Sequence, residues 1–352
     1  MNILLFFLGL FFLIVGAELL VRGASKLASA AGISPLIIGL TVIAFGTSSP
    51  ELAVSIKSSW SGQSALALGN VVGSNIFNVL FILGLSALII PLRVSKQLIR
   101  FDVPLMIALS IGVLMLGLNG SLGRLDGTLL LIALFGYLFF LYRHKSEDPG
   151  DGETAANTGD QPRWLNITFI VLGLLLLVAG SRFLVDAAVE IARNMGLNEL
   201  LIGLTLVAAG TSLPEVVTSL VAAWKGERDI AVGNVIGSNI FNLTCVLGIT
   251  SLVAPEGITT GPEVLGIDIP VMIAVSLFCL PLFFTGAIID RVEGLILFGF
   301  YIAYTTFLIL QASAHHTLDQ FSGILIKFVI PLTFIMLTIM WFRNRTVKSY
   351  IL

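Results

Sequence analysis

Charge is scarce in this chain. Only 11% of its 352 residues are Asp, Glu, Lys or Arg, against about 25% in a typical soluble domain. So few charges argue against a water-soluble globule, and a hydrophobic content of 57% with mean hydropathy +1.01 points the same way. Cysteine is nearly absent: Cys245 and Cys279 both lie in apolar stretches, which gives no basis for a disulfide framework or a zinc site and reads as two small core side chains. Basic excess is missing too. The formal net charge is −2, the isoelectric point is near 5.9 and no long single-sign run occurs, so nucleic acid is not an expected partner. No basic residue precedes Arg22 and no small-residue cleavage pattern follows the first apolar run. That run is expected to stay as a first span, not to leave as a signal peptide.

Apolar runs are what the chain has in abundance. At ~20 residues per membrane-spanning helix, the composition accommodates about ten spans. Runs broken by Gly, Pro and charge give eleven, roughly 3–21, 36–59, 66–90, 103–119, 128–142, 165–182, 200–223, 231–253, 267–285, 292–311 and 322–342. The expected fold is an all-α polytopic membrane protein in a lipid bilayer. The one long polar segment, 144–163, carries Glu147, Asp148, Asp151, Glu153 and Asp160 with almost nothing to bury, and is expected to be a flexible acidic linker. With the N-terminus outside, the cytoplasmic ends collect Arg22, Lys26, Arg93, Lys96, Arg100, Arg143, Lys145, Arg163, Lys225, Arg228, Arg291, Arg343, Arg345 and Lys348, while the outer ends hold only Arg124, Arg182 and Arg193. The positive-inside rule therefore predicts an outer N-terminus and a cytoplasmic linker and C-terminus.

Shifted by 164 residues, the chain matches itself. Gly39–Gly84 aligns without a gap to Gly203–Gly248, with about half the positions identical, and Asp102-Val-Pro104 meets Asp268-Ile-Pro270 beyond a small insertion near Glu256–Gly261. Each half holds five spans. Five is odd, so the second half enters the membrane from the opposite side. The expected architecture is two inverted-topology five-helix repeats, 1–143 and 164–311, with ten core transmembrane helices; residues 312–352 add an extra C-terminal span and a basic tail. The charges agree, because Glu18, Arg22 and Lys26 become Arg182, Asp186 and Glu190 with every sign reversed. Ion pairs at i,i+4 are expected among them.

The densest identity falls in two motifs. One is Gly46-Thr47-Ser48-Ser49-Pro50-Glu51, matched by Gly210 to Glu215; the other runs from Gly69 to Asn78, matched by Gly233 to Asn242. A carboxylate at mid-membrane costs about 2.5–3.5 kcal/mol even on the lenient insertion scale, and Glu51 and Glu215 impose that cost twice. A cation is the expected compensation. Pro50 and Pro214 should break their spans and free the carbonyls of Gly46 and Gly210, which is tolerable in a membrane only where the backbone lines protein or a cavity. Such a break offers carbonyls, the hydroxyls of Thr47, Ser48, Thr211 and Ser212, and two carboxylates. These are all oxygens, as hard cations prefer, and they approach the 6–8 ligands of Ca²⁺. Asn70, Ser74 and Asn78 are spaced i, i+4, i+8, so on a helix they form one polar stripe that can face the break; Gly69 and Gly73 suit close helix packing.

At these residues the chain resembles the sodium/calcium exchanger family of the calcium/cation antiporter superfamily, in its short prokaryotic form, over roughly residues 1–311. The resemblance implies that Glu51 and Glu215 bind calcium with the backbone carbonyls of Thr47 and Thr211. It further implies sodium sites built from Ser48, Ser74, Ser212 and Ser238, the carbonyls of Ala44 and Ala208, and the amides of Asn78 and Asn242. Several sodium ions would exchange for one calcium without ATP, cofactor or enzymatic chemistry, with the first and sixth spans sliding against the rest, and the setting would be a prokaryotic inner membrane. Two features depart from the family pattern. Potassium-dependent relatives carry Asp where this chain has Asn242, which weakens a potassium-coupled reading, and the span at 322–342 exceeds the ten that the fold needs. The linker is also too short to fold into the calcium-sensing domains that larger relatives carry there.

Other functions stay open at this point. A buried carboxylate that releases calcium can take a proton instead, giving calcium/proton exchange, although the surplus of hydroxyl and amide ligands favours sodium. A cation channel could use the same oxygens, but one carboxylate per inverted half suits alternating access better. An intramembrane hydrolase with a catalytic acid pair fits poorly, because the acids are Glu on Pro-broken helices.

Overall fold

A computed structural model describes residues 2–143, 163–194, 208–284, 286–313, 317–324 and 327. The long helices are α1 (Asn2–Ala31), the bent pair α2 (Pro35–Thr47) and α3 (Ser49–Trp60), α4 (Ser64–Ile89), α5 (Leu98–Gly117), α6 (Arg124–Arg143), α7 (Arg163–Asn194), α8 (Leu213–Trp224), α9 (Arg228–Val253), α10 (Val264–Phe284) and α11 (Arg291–Ala312). Among the described residues, eight helices are long and apolar enough to cross a membrane, and α2 with α3 makes a ninth, bent by 40°. Helix α8 is the counterpart of α3, and the start of its span, 200–207, lies outside the described residues. The linker 144–162, most of the predicted span 322–342 and the tail with Arg343, Arg345 and Lys348 lie outside them as well.

The outer helices carry large apolar side chains on their exposed faces. Phe7, Phe11 and Ile14 of α1 and Leu129, Ile132 and Phe135 of α6 are exposed, an arrangement that water would penalise and hydrocarbon accepts. At the centre, the spanning stretch of α9 is entirely buried. This is an inverted-repeat helical membrane protein.

Helices α1 and α7 are longer than the predicted 3–21 and 165–182. Hydropathy marks where the apolar run ends, whereas Glu18, Arg22, Lys26 and their counterparts are ordinary helix residues that extend the rod beyond it. Arg163, assigned to the linker, opens α7. The expected i,i+4 pair is replaced at Glu18, whose carboxylate bonds Lys225 at the end of α8; Arg22 lies over the ring of Phe169.

The inversion is visible where α1 meets α7. A Cβ on Gly9 would lie 2.8 Å from the carbonyl oxygen of Gly180, and one on Gly16 would lie 2.8 Å from that of Gly173. Residue numbers rise along one helix as they fall along the other, so the two run antiparallel, in contact at glycines because nothing larger fits. Two short antiparallel pairings also join the halves, Leu92 with Ile289 and Ser121 with Thr259. The repeated Asp102 and Asp268 anchor helix starts: Tyr137 donates to Asp102 at 3.1 Å and Tyr304 to Asp268 at 3.0 Å.

Candidate ion-binding site

Both breaks fall two residues before the proline expected to cause them. Ser48 (φ −80°, ψ 3°) and Ser212 (φ −88°, ψ 6°) leave helical geometry, and Pro50 and Pro214 sit in the first turns of α3 and α8, where a missing N–H costs nothing. The carbonyls expected to be bare at Gly46 and Gly210 are in fact taken by hydroxyls. Ser49 donates to Gly46 at 2.7 Å within its own span, whereas Ser181 of α7 reaches Gly210 at 2.6 Å. The Ala44 carbonyl accepts the Ser48 N–H at 3.0 Å; of Ala208, only the backbone, in the turn Ala208–Gly210, is described.

Glu51 and Glu215 open α3 and α8 and are both 0% exposed. Each is held by the other half. Ser212 donates to Oε1 of Glu51 at 2.9 Å and Ser48 to Oε1 of Glu215 at 3.2 Å, while Ser212 also reaches Ser74 at 3.1 Å and Thr47 lies 3.4 Å from Ser238. Asn70 and Asn234 clamp the breaks. Asn70 donates to the Glu51 carbonyl and to Ser55 and accepts from the half-buried Thr211; Asn234 donates to the Glu215 carbonyl and to Ser219 and accepts from Thr47. The stripe of Asn70 and Ser74 therefore faces the breaks, as expected. Asn78 and Asn242 turn elsewhere: Asn78 donates to Asn239 at 3.0 Å and Asn242 to Asn75 at 3.1 Å.

Bonds between the halves thus link Ser212 with Glu51 and Ser74, Ser48 with Glu215, and Thr47 with Ser238, all buried, whereas Asn78 and Asn242 are buried in a separate set of bonds with Asn239 and Asn75. Among these residues, four buried acceptor oxygens have no hydrogen-bond donor among the described residues: Oε2 of Glu51, Oε2 of Glu215, Oδ1 of Asn78 and Oδ1 of Asn242. They form two pairs related by the repeat. A buried acceptor without a partner costs about 1–3 kcal/mol, more if charged, and a cation with oxygen ligands removes that cost. Among the described residues, no three His, Cys, Asp or Glu side chains come together, so the two carboxylates rely on hydroxyls, amides and carbonyls to complete any coordination. Close packing through glycine holds in the second motif for α9; the segment that would face Gly69 and Gly73 by the repeat, 200–207, lies outside the described residues. A Cβ on Gly233 would lie 2.9 Å from the Leu36 carbonyl and one on Gly237 2.8 Å from that of Leu40, whereas at Gly69 and Gly73 it would meet nothing within 4 Å among the described residues. Asn75 and Asn239 were missed as partners. The signal was present: an amide on an apolar helix must find hydrogen bonds, and these two lie just off the stripe.

Fold and site together suit a transporter: two inverted halves, each with a break in a helix, bring buried carboxylates and hydroxyls against each other at their interface. The chain belongs to the sodium/calcium exchanger protein family, whose model matches residues 1–143 and 165–310. It is 41% identical over 280 residues to inner membrane protein YrbG of Escherichia coli (strain K12), covering 78% of this chain and 86% of that one. It is 34% identical over 341 residues to sodium/calcium exchanger MaX1 of Methanosarcina acetivorans, covering 86% and 97%. The solved structure of the sodium-calcium exchanger NCX_Mj superposes with a TM-score of 0.76 at 32% identity, over 89% of this chain and 98% of that one. The resemblance seen in the motifs holds, and the protein is a transporter, not an enzyme.

Proposed function

We propose that this protein exchanges sodium for calcium across a membrane, carrying each ion in the centre between Glu51 and Glu215 and opening that centre to one side at a time. The observation that supports this most directly is the set of four unpartnered oxygens, two of them from carboxylates. Two negative charges balance one Ca²⁺, and the carbonyls of Thr47 and Thr211 bring the oxygen count toward its usual 6–8. Sodium, with half the charge, suits the smaller sets in which Ser48, Ser74, Ser212, Ser238, the Ala44 and Ala208 carbonyls and the amides of Asn78 and Asn242 take part. Competition for shared carboxylates couples the two ions without ATP. MaX1 and NCX_Mj bear the name sodium/calcium exchanger, which supports sodium as the coupling ion. In this reading the N-terminus is outside, segment 144–163 and the C-terminus are cytoplasmic, the membrane is a prokaryotic inner membrane, and an inward sodium gradient drives calcium out.

The test is radiolabelled calcium uptake into proteoliposomes under an imposed sodium, proton or potassium gradient. Uptake is expected to follow the sodium gradient and to vanish in Glu51→Gln and in Glu215→Gln. Uptake that ignores sodium and follows the proton gradient would overturn the coupling; uptake that survives both substitutions would overturn the site.

A further inference from the structure

At the crossing of α4 and α9, four asparagines are buried to 2% exposure or less, and their bonds form two linked chains. The amide of Asn75 donates to the main-chain carbonyl of Asn239 at 3.3 Å, and that of Asn239 donates to the carbonyl of Asn75 at 3.3 Å. A main-chain carbonyl only accepts. The end of Asn75 that faces it must therefore be Nδ2, which leaves Oδ1 of Asn75 toward Asn242. An oxygen there obliges Asn242 to present its own Nδ2, as it does at 3.1 Å, and Oδ1 of Asn242 is turned to the opposite end. The second chain runs the same way from the Asn75 carbonyl through Asn239 to Asn78, at 3.0 Å. Thioethers support both: Nδ2 of Asn75 lies 3.7 Å from Met272 sulfur and Nδ2 of Asn239 lies 3.5 Å from Met106 sulfur, weak acceptors that also call for a donor. At the far end of each chain stands an unpartnered Oδ1, on Asn242 and on Asn78.

We infer that Asn75 and Asn239 are positioning residues that fix which end of the Asn242 and Asn78 amides faces the ion centre, making it accept sodium. A side-chain amide has an oxygen end and an NH₂ end of nearly equal size, and only the oxygen end ligates a cation. Reversing Asn242 would set two oxygens against each other at Asn75 and point N–H groups at the cation. Each chain begins on one half's backbone and passes through the other half's side chain, so neither half orients its own amide. The α-to-π transitions beginning at Asn78 and Asn242 lie directly beyond the carbonyls that start the chains, and such changes of helical step disturb regular carbonyl pairing.

This rests on the reading above that Asn78 and Asn242 ligate sodium, and the experiment separates the two. The readouts are the sodium and calcium concentrations for half-maximal exchange by the full chain in proteoliposomes. Asn242→Ala and Asn78→Ala test the ligand reading; an unchanged sodium requirement in both removes it, and the positioning role with it. Asn75→Leu, and the smaller Asn75→Ser should the first fail to fold, are expected to raise the sodium requirement about tenfold, the value of one buried hydrogen bond, with a smaller change for calcium. The deciding arm repeats Asn75→Leu and Asn75→Ser in an Asn242→Asp background. A carboxylate has no wrong end, so the added rise should fall below about twofold there. An equal rise in both backgrounds, or none in the native background while Asn242→Ala is impaired, overturns the positioning role and leaves the ligand reading standing.

Discussion

Glutamate and asparagine, both buried in the spanning helices, meet different demands. In the proposed site, the carboxylates of Glu51 and Glu215 would supply charge to balance a cation, whereas the amides would contribute oxygen only when turned the right way. In Glu51→Gln or Glu215→Gln, calcium should cease to stabilise the fold; at 100 times Kd the native protein gains about 2.7 kcal/mol from ligand binding. Thermal unfolding with and without calcium checks this, and a variant that still gains stability would exclude that glutamate from the site. The crossed serines make a second expectation. Ser212 donates to Glu51 and not to the Glu215 of its own motif, so Ser212→Ala should couple with Glu51→Gln by about 0.5–3 kcal/mol in a double-mutant cycle on calcium affinity, and less with Glu215→Gln. Both carboxylates, the hydroxyls and the amides were legible as buried polar residues, because a repeated polar group in an apolar run stands out. Their partners were not, since Ser212 and Glu51 are 161 positions apart and no local pattern reports that distance.

Among the elements, α1 and α7 show what periodicity misses. Their glycines at 9, 16, 173 and 180 read as incidental in a helix rich in Leu and Phe, yet each is where one backbone touches the other. Gly16→Ala would push a Cβ to 2.8 Å from the Gly173 carbonyl, and overpacking of this kind costs about 1–3 kcal/mol. A lowered unfolding midpoint is expected; an unchanged midpoint would mean that the helices part without cost. At one end of α1, the Glu18 bond to Lys225 is joined by Ser25 donating to Glu227 at 2.6 Å. In the other half, the positions matching Glu18, Lys225, Ser25 and Glu227 hold Arg182, Ser61, Val189 and Gln63, which cannot form the same ion pair. The two ends of the α1 and α7 pair are therefore held differently. Glu18→Lys should change the initial rate of calcium uptake and Lys225→Glu in the same chain should restore it, whereas additive effects would show that the pair does not act as a unit.

For the whole molecule, orientation is the property that charge counts predict most simply. A cysteine at Ser146 should react with an impermeant thiol reagent only from the cytoplasmic side and one at Arg124 only from outside. Cys245 and Cys279 are buried and give little background, and labelling in the reverse sense would invert the assigned topology. The helical membrane class, the inverted halves and the pair of buried carboxylates follow from the chain alone, because the hydrocarbon solvent leaves few ways to arrange so apolar a sequence and because the repeat is written within it. Tertiary structure decided the rest: which half satisfies which carboxylate, that hydroxyls of Ser49 and Ser181 occupy the carbonyls of Gly46 and Gly210, and which end of each asparagine meets its partner. An amide's two ends are alike in the sequence. They become different only when a carbonyl from the other half stands against one of them.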